Sequence, residues 1–164
     1  MNTAVTFSTT KDEWTTPQDF WEKLNAEFQF TWDVAARAEN SKCGMHYFGP
    51  DHPDPRRRDA LNPDVVWGVA SWMNPPYSNG RRFIARAAFE ARYRGNIVVC
   101  LVPARTDSHW WHGYVWDRKT HQLRAGVEVR FIKGRMKFGE FGGAERAAPF
   151  PSVVIVFWPN ALHV

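Results

Sequence analysis

The chain has 164 residues and a mass of 19.0 kDa, room for one domain of ordinary size and too little for two. At 44% hydrophobic and 23% charged residues it is globular in composition, without an apolar run near the ~18 residues of a membrane span, a secretory leader at its start, or more than two cysteines (Cys43 and Cys100). An intracellular, cytoplasmic protein is expected, and its charge of +4, with Arg supplying 15 of 21 basic residues, favours a polyanionic partner over none.

Residues 1–15 read as a loose polar arm to a single domain spanning 1–164. A helix is predicted next, with Thr16 as N-cap, Pro17 in the first helical position and Asp19 in the first turn. Trp21, Leu24 and Phe28 then form one apolar stripe. Residues 30–35 read as a short buried strand ending near Asp33, 36–43 as a short helix or loop, and 44–48 as a second strand. Residues 49–64, rich in Pro and Asp and carrying Arg56, Arg57 and Arg58, read as a mobile loop. The apolar run 65–73 reads as a strand that stops at Asn74-Pro75-Pro76-Tyr77, because two prolines cannot continue a central strand.

A helix over 79–94 follows, capped by Gly95. Residues 96–103 form a solid run, apolar from Ile97 onward, as in a strand buried on both faces. A helix is expected within 107–117, a strand over 127–132, irregular chain over 133–150 and a last strand over 151–158. Strands alternating with helices predict an α/β fold with a mixed, mostly parallel sheet and helices on both faces. Ligands in such sheets bind beyond the carboxyl ends of strands, where Asp33 and Asn74 both fall.

Asn74-Pro75-Pro76-Tyr77 is the sharpest chemical signal. The exocyclic amine of a base is a poor nucleophile, because its lone pair is delocalised into the ring. Two acceptors aimed at its hydrogens bias it towards tetrahedral geometry. Asn74 offers a side-chain carbonyl and Pro75 a main-chain one. Pro76 stiffens the turn, so the acceptors are placed in advance. Tyr77 offers a face for an extruded base. The bland reading of the tetrapeptide is a loop punctuator. Its place between an apolar strand and an amphipathic helix favours chemistry.

The ordered series of segments resembles the phage-type DNA N6-adenine methyltransferases, a small Dam-like family. It includes Trp14-Thr15-Thr16-Pro17, Phe30-Thr31-Trp32-Asp33-Val34-Ala35-Ala36, Asn40-Ser41-Lys42-Cys43, Asp59-Ala60-Leu61, Asn74-Pro75-Pro76-Tyr77-Ser78 and Gly134-Arg135-Met136-Lys137-Phe138. The resemblance implies a Rossmann-like methyltransferase domain, S-adenosylmethionine as methyl donor and adenine in DNA as acceptor. A phage or prophage origin and the cytoplasm of a bacterial host go with it.

The same resemblance assigns Thr16 and Pro17 to the donor's carboxylate, where helix-end N–H groups suit an anion. It sets Asp33 near the donor's amine and Asp59, with Ala60 and Leu61, at its adenine. The Gly-rich loop common after the first strand is absent. Ala35, followed by Ala36, is small enough to let a ligand approach the backbone instead. Arg81, Arg82, Arg135 and Lys137 are candidates for phosphates, each with solvated surface charge as its plain alternative. Cys43 with His46, and His109 with His112, lack a second pair for a metal site, so no metal is expected. Trp67 and Phe138 read as core. Rival acceptors are the planar amines of RNA adenine, cytosine and protein glutamine. The rival to an enzyme is a DNA-binding relative without catalysis.

Overall fold

The computed structural model describes residues 14–139 and 145–159. Of the predicted arm, Trp14 and Thr15 lie among them, and Thr15 forms an antiparallel bridge with Gly139. The elements, in chain order, are α1 (Gln18–Phe28), β1 (Trp32–Asp33), β2 (Ala70–Met73), α2 (Gly80–Arg94), β3 (Ile97–Pro103), β4 (Trp116–Asp117), β5 (Gln122–Leu123), β6 (Val127–Phe131), β7 (Lys137–Phe138), β8 (Arg146–Ala147) and β9 (Ser152–Phe157).

The main sheet runs β1-β2-β3-β9-β6. β1, β2 and β3 pair in parallel, while β9 is antiparallel to both β3 and β6. The sheet is therefore mixed, with two parallel and two antiparallel pairings rather than mostly parallel ones. The cause is the connection after β6. Residues 132–151 hold no crossover helix among those described, so the chain re-enters the sheet from the end it left and runs back. The small β7–β8 ladder lies within that connection.

Alternate side chains of the central strands feed two cores. Met73, Val98, Cys100, Val102, Ile155 and Phe157 join Phe83, Ile84, Ala87 and Ala91 of α2. Trp72, Val99, Leu101, Val154 and Val156 join Trp21, Leu24 and Phe28 of α1. Burying each such large side chain contributes roughly 1.5–3 kcal/mol. Trp67 and Phe138 are core, as expected.

Several boundaries differ from the sequence reading. α1 begins at Gln18, and Pro17 rather than Thr16 is its cap residue, with no side-chain cap bond. Only Trp32–Asp33 of 30–35 pairs as strand, and 44–48 contributes one bridge, Tyr47 to Asp33. In the run 65–73 only the last four residues are strand; Val66 and Val69 are exposed. The helix expected in 107–117 is a five-residue π-helical turn, Trp111–Val115, leading into the β4–β5 hairpin. α2 and its left-handed cap at Gly95 (φ 71°) match expectation.

A buried charge cluster fastens the chain before β2 onto α2. Glu90, fully buried, accepts from Arg86 Nε at 2.7 Å, Arg94 Nη1 at 2.9 Å and Asn96 Nδ2 at 2.9 Å. Both arginines also donate to the Val65 carbonyl, and Arg86 to that of Asn62. The Trp67 indole N–H holds the Ala60 carbonyl at 2.9 Å. Glu90→Ala, which strands two guanidinium groups, is expected to lower stability by about 3 kcal/mol in urea unfolding. Glu27→Ala, at the half-exposed pair with Arg130, is expected to cost less than about 1 kcal/mol.

Candidate active site

A cavity of about 330 Å³ lies at the carboxyl ends of β1 and β2. The strand ends and the residues just past them line it with Asp33, Val34, Ala35, Ala36, Asn74 and Pro76. Asp59, Ala60 and Leu61 form part of its wall, as do Trp14, Thr15 and Thr16. Asn79 and Arg82, flanking the start of α2, also line it. Gly49 closes the wall against Ala36; a side chain there would run into the Ala36 carbonyl.

Asn74 is held by two bonds. Its Nδ2 donates to the Trp14 carbonyl at 2.7 Å and to Thr16 Oγ1 at 3.0 Å. A backbone carbonyl can only accept, so the nitrogen must face Trp14. Both amide hydrogens are thereby used. Pro75 is buried behind it, and residues 77–79 make a single 3-10 turn before α2.

Tyr77 lies in an aromatic group. Its ring is 6.3 Å from that of Trp14, inclined by 30°, and meets Phe150 edge-on at 5.0 Å. Trp14 also packs on Phe138 at 5.5 Å. The chain thus places the ring beside the cavity between two neighbours that limit its rotation.

Asp33 is 3% exposed. Its Oδ2 accepts from the Lys42 N–H at 3.0 Å and its Oδ1 from the Ala35 N–H at 3.3 Å. Burial raises its pKa to about 6, against these two bonds, which lower it. The turn after β1 is thus organised by its own carboxylate in place of glycines. Arg37, Asn40, Lys42, Phe48 and Arg58 also line the cavity. None of these carries a periodic signal, although Asn40 and Lys42 stand in a segment that the resemblance quotes.

The three adjacent arginines divide. Arg56 and Arg57 pair with Asp54, and Arg57 also lies over the Trp32 ring at 5.0 Å. Arg58 lines the cavity, anchored through Nε to the His52 carbonyl at 2.8 Å. Residues 55–57 form one 3-10 turn inside this loop.

Of the predicted site residues, Thr16, Asp33, Ala35, Asp59, Ala60, Leu61, Asn74, Pro76 and Arg82 line the cavity. Pro17, Pro75, Tyr77, Arg81, Arg135 and Lys137 do not. Arg81 is exposed at the start of α2, and Arg135 and Lys137 are exposed around β7. Among the described residues no three of His, Cys, Asp or Glu gather as a metal-binding group. No helix of the described residues is long and apolar enough to cross a membrane.

An amide set at a strand end, an aromatic ring beside it and a cavity reaching an acidic turn thus meet at one end of the sheet. The sequence model of the family "DNA N-6-adenine-methyltransferase (Dam)" matches residues 3–161, and the chain belongs to that family of DNA-modifying enzymes. It is 27% identical over 166 residues to the DNA N-6-adenine-methyltransferase of Haemophilus phage HP1 (strain HP1c1), covering 98% of this chain and 87% of the phage protein. No solved structure matches it.

The Asp33 carboxyl should titrate near pH 6 in the ligand-free protein, well above an ordinary aspartate, as followed by NMR on carbon-13-labelled aspartate. Its folded value exceeds its unfolded one. Its contribution to stability is therefore complete below about pH 4 and is lost as the pH rises through about 6.

Proposed function

We propose that the chain transfers a methyl group from S-adenosylmethionine to the exocyclic amine of adenine in DNA, through a Rossmann-like methyltransferase domain with a helix on each face of its sheet. Membership of the Dam family carries the reaction. The fixed amide of Asn74 carries the assignment of residues. The likeness to the phage HP1 enzyme supports a phage origin and action inside a bacterial host.

The cavity suits the donor in size class and chemistry. It offers a carboxylate at Asp33 for an ammonium, a second at Asp59 for an adenine amine, and small residues at 35 and 36 for close approach. When bound, the donor supplies an electrophilic methyl group on a sulfonium sulfur.

The chain's own residues then do three things. Asn74 Oδ1 and the Pro75 carbonyl accept the two amine hydrogens and turn the nitrogen lone pair out of the ring. Pro76 keeps that corner rigid, so little reorganisation is needed as positive charge develops on nitrogen. Tyr77 stacks on the extruded base. The lone pair forms the new N–C bond while the old C–S bond breaks with its electrons kept by sulfur, and the acidic product amine releases a proton to water. Alignment along this line supplies most of the rate.

Arg58 and Arg82, which line the cavity, would meet the phosphates flanking the extruded nucleotide. Arg81, Arg135 and Lys137 lie outside it and would meet duplex further along. Asn74→Ala should lower methyl transfer to unmethylated plasmid DNA by about 100- to 1,000-fold, measured with labelled donor. Mass spectrometry of the digested nucleosides should show N6-methyladenine. Label in cytosine, in RNA alone or in protein would establish a rival acceptor, and an unchanged rate for Asn74→Ala would refute the residue assignment.

A further inference from the structure

The segment Trp14–Thr16 does not behave as an arm. Thr15 is bonded twice to Gly139, N–H to carbonyl at 3.1 Å and, in the other direction, at 3.0 Å. Trp14 packs its ring on Phe138, the β7 residue next to that bridge. The segment crosses over the end of β2, about sixty residues away in sequence, and offers two acceptors to one side chain, Asn74. Thr16 is 3% exposed, yet its hydroxyl caps no helix. Its oxygen instead takes an Asn74 hydrogen.

We infer that Trp14–Thr16 is a positioning strap: the Trp14 carbonyl and Thr16 Oγ1 fix the rotation of the Asn74 amide so that Oδ1 faces the reacting amine. The inference rests on the reading of Asn74 as an acceptor for that amine. It moves Thr16 from the donor site to the catalytic corner. An asparagine amide has two faces, NH₂ and C=O, and rotation by half a turn about its last bond exchanges them. A rotated amide would aim two N–H donors at an amine whose hydrogens need acceptors. The strap removes that alternative, because rotation would set Oδ1 against the Trp14 carbonyl.

A second consequence concerns the residue at position 74 itself. Aspartate has two acceptor oxygens where asparagine has one, and no hydrogens to give when ionised. One of its oxygens would face the Trp14 carbonyl at the place now occupied by Nδ2, 2.7 Å away. Repulsion would displace the carboxylate from its place at the strand end. This chain therefore requires the amide, although a carboxylate could equally accept from the amine.

The experiment measures turnover on unmethylated plasmid DNA at saturating S-adenosylmethionine, with donor affinity taken separately by calorimetry, for Thr16→Val, Thr16→Ser, Asn74→Asp and Asn74→Ala. Thr16→Val keeps the shape and loses the acceptor. It should lower kcat about tenfold or more while donor Kd stays within twofold. Thr16→Ser restores the oxygen and should recover most of kcat. Asn74→Asp should fall to within about tenfold of Asn74→Ala. Thr16→Val with normal kcat, or with its loss confined to donor Kd, overturns the strap, as do equal losses in Thr16→Val and Thr16→Ser. An Asn74→Asp enzyme near wild-type kcat overturns it too. An active Asn74→Ala enzyme would instead overturn the underlying acceptor reading and the strap with it. An inactive Asn74→Ala beside a normal Thr16→Val sinks the strap alone.

Discussion

Two prolines end β2, and the rest of the site is arranged around that stop. Pro75 and Pro76 cannot lend N–H groups to a neighbouring strand, so pairing ceases at Met73 and Asn74 stands just beyond the sheet. A side chain in that place has no ladder to hold it. It is held by chain that arrives from elsewhere: Trp14 and Thr16 on one side, with Tyr77 and its aromatic neighbours next to them. Sheet, strap and aromatic group thus converge on one amide.

The same end of the sheet gathers the remaining polar groups. β1 and β2 are parallel neighbours, so their carboxyl ends, Asp33 and Met73-Asn74, open on one cavity. Asp33 is kept there at a cost: burial opposes its charge, and two backbone N–H groups offset only part of that. A buried group held against its preference in a cavity is characteristic of a ligand site. The Glu90 cluster supports the opposite wall, tying the carbonyls of Asn62 and Val65 to α2 a few residues after Asp59-Ala60-Leu61.

Much of this was legible in the sequence, for physical reasons. Apolar runs such as 97–103 and the stripe Trp21, Leu24, Phe28 announce burial directly. Asn74-Pro75-Pro76-Tyr77 announces the strand end found after Met73. The reversed direction of β9 was not legible, because an apolar strand reads the same in either orientation. Thr16 is not the helix cap that Thr-Pro before a helix resembles locally, because its hydroxyl partner, Asn74, is distant in sequence. Arg56, Arg57 and Arg58 are indistinguishable as a run; folding ties the first two to Asp54 and sets the third at the cavity. Local pattern reports the elements, whereas contacts between distant segments decide which polar atoms remain available.

A crystal structure with a non-reactive sulfonium analogue and an oligonucleotide carrying one extruded adenine would examine the corner where all these segments meet. Asn74 Oδ1 and the Pro75 carbonyl should each lie at hydrogen-bond distance, about 3 Å, from the adenine N6, with Tyr77 against the base and both amide hydrogens still on Trp14 and Thr16. An adenine seated elsewhere, or an Asn74 amide turned to present Nδ2 to the base, would contradict it.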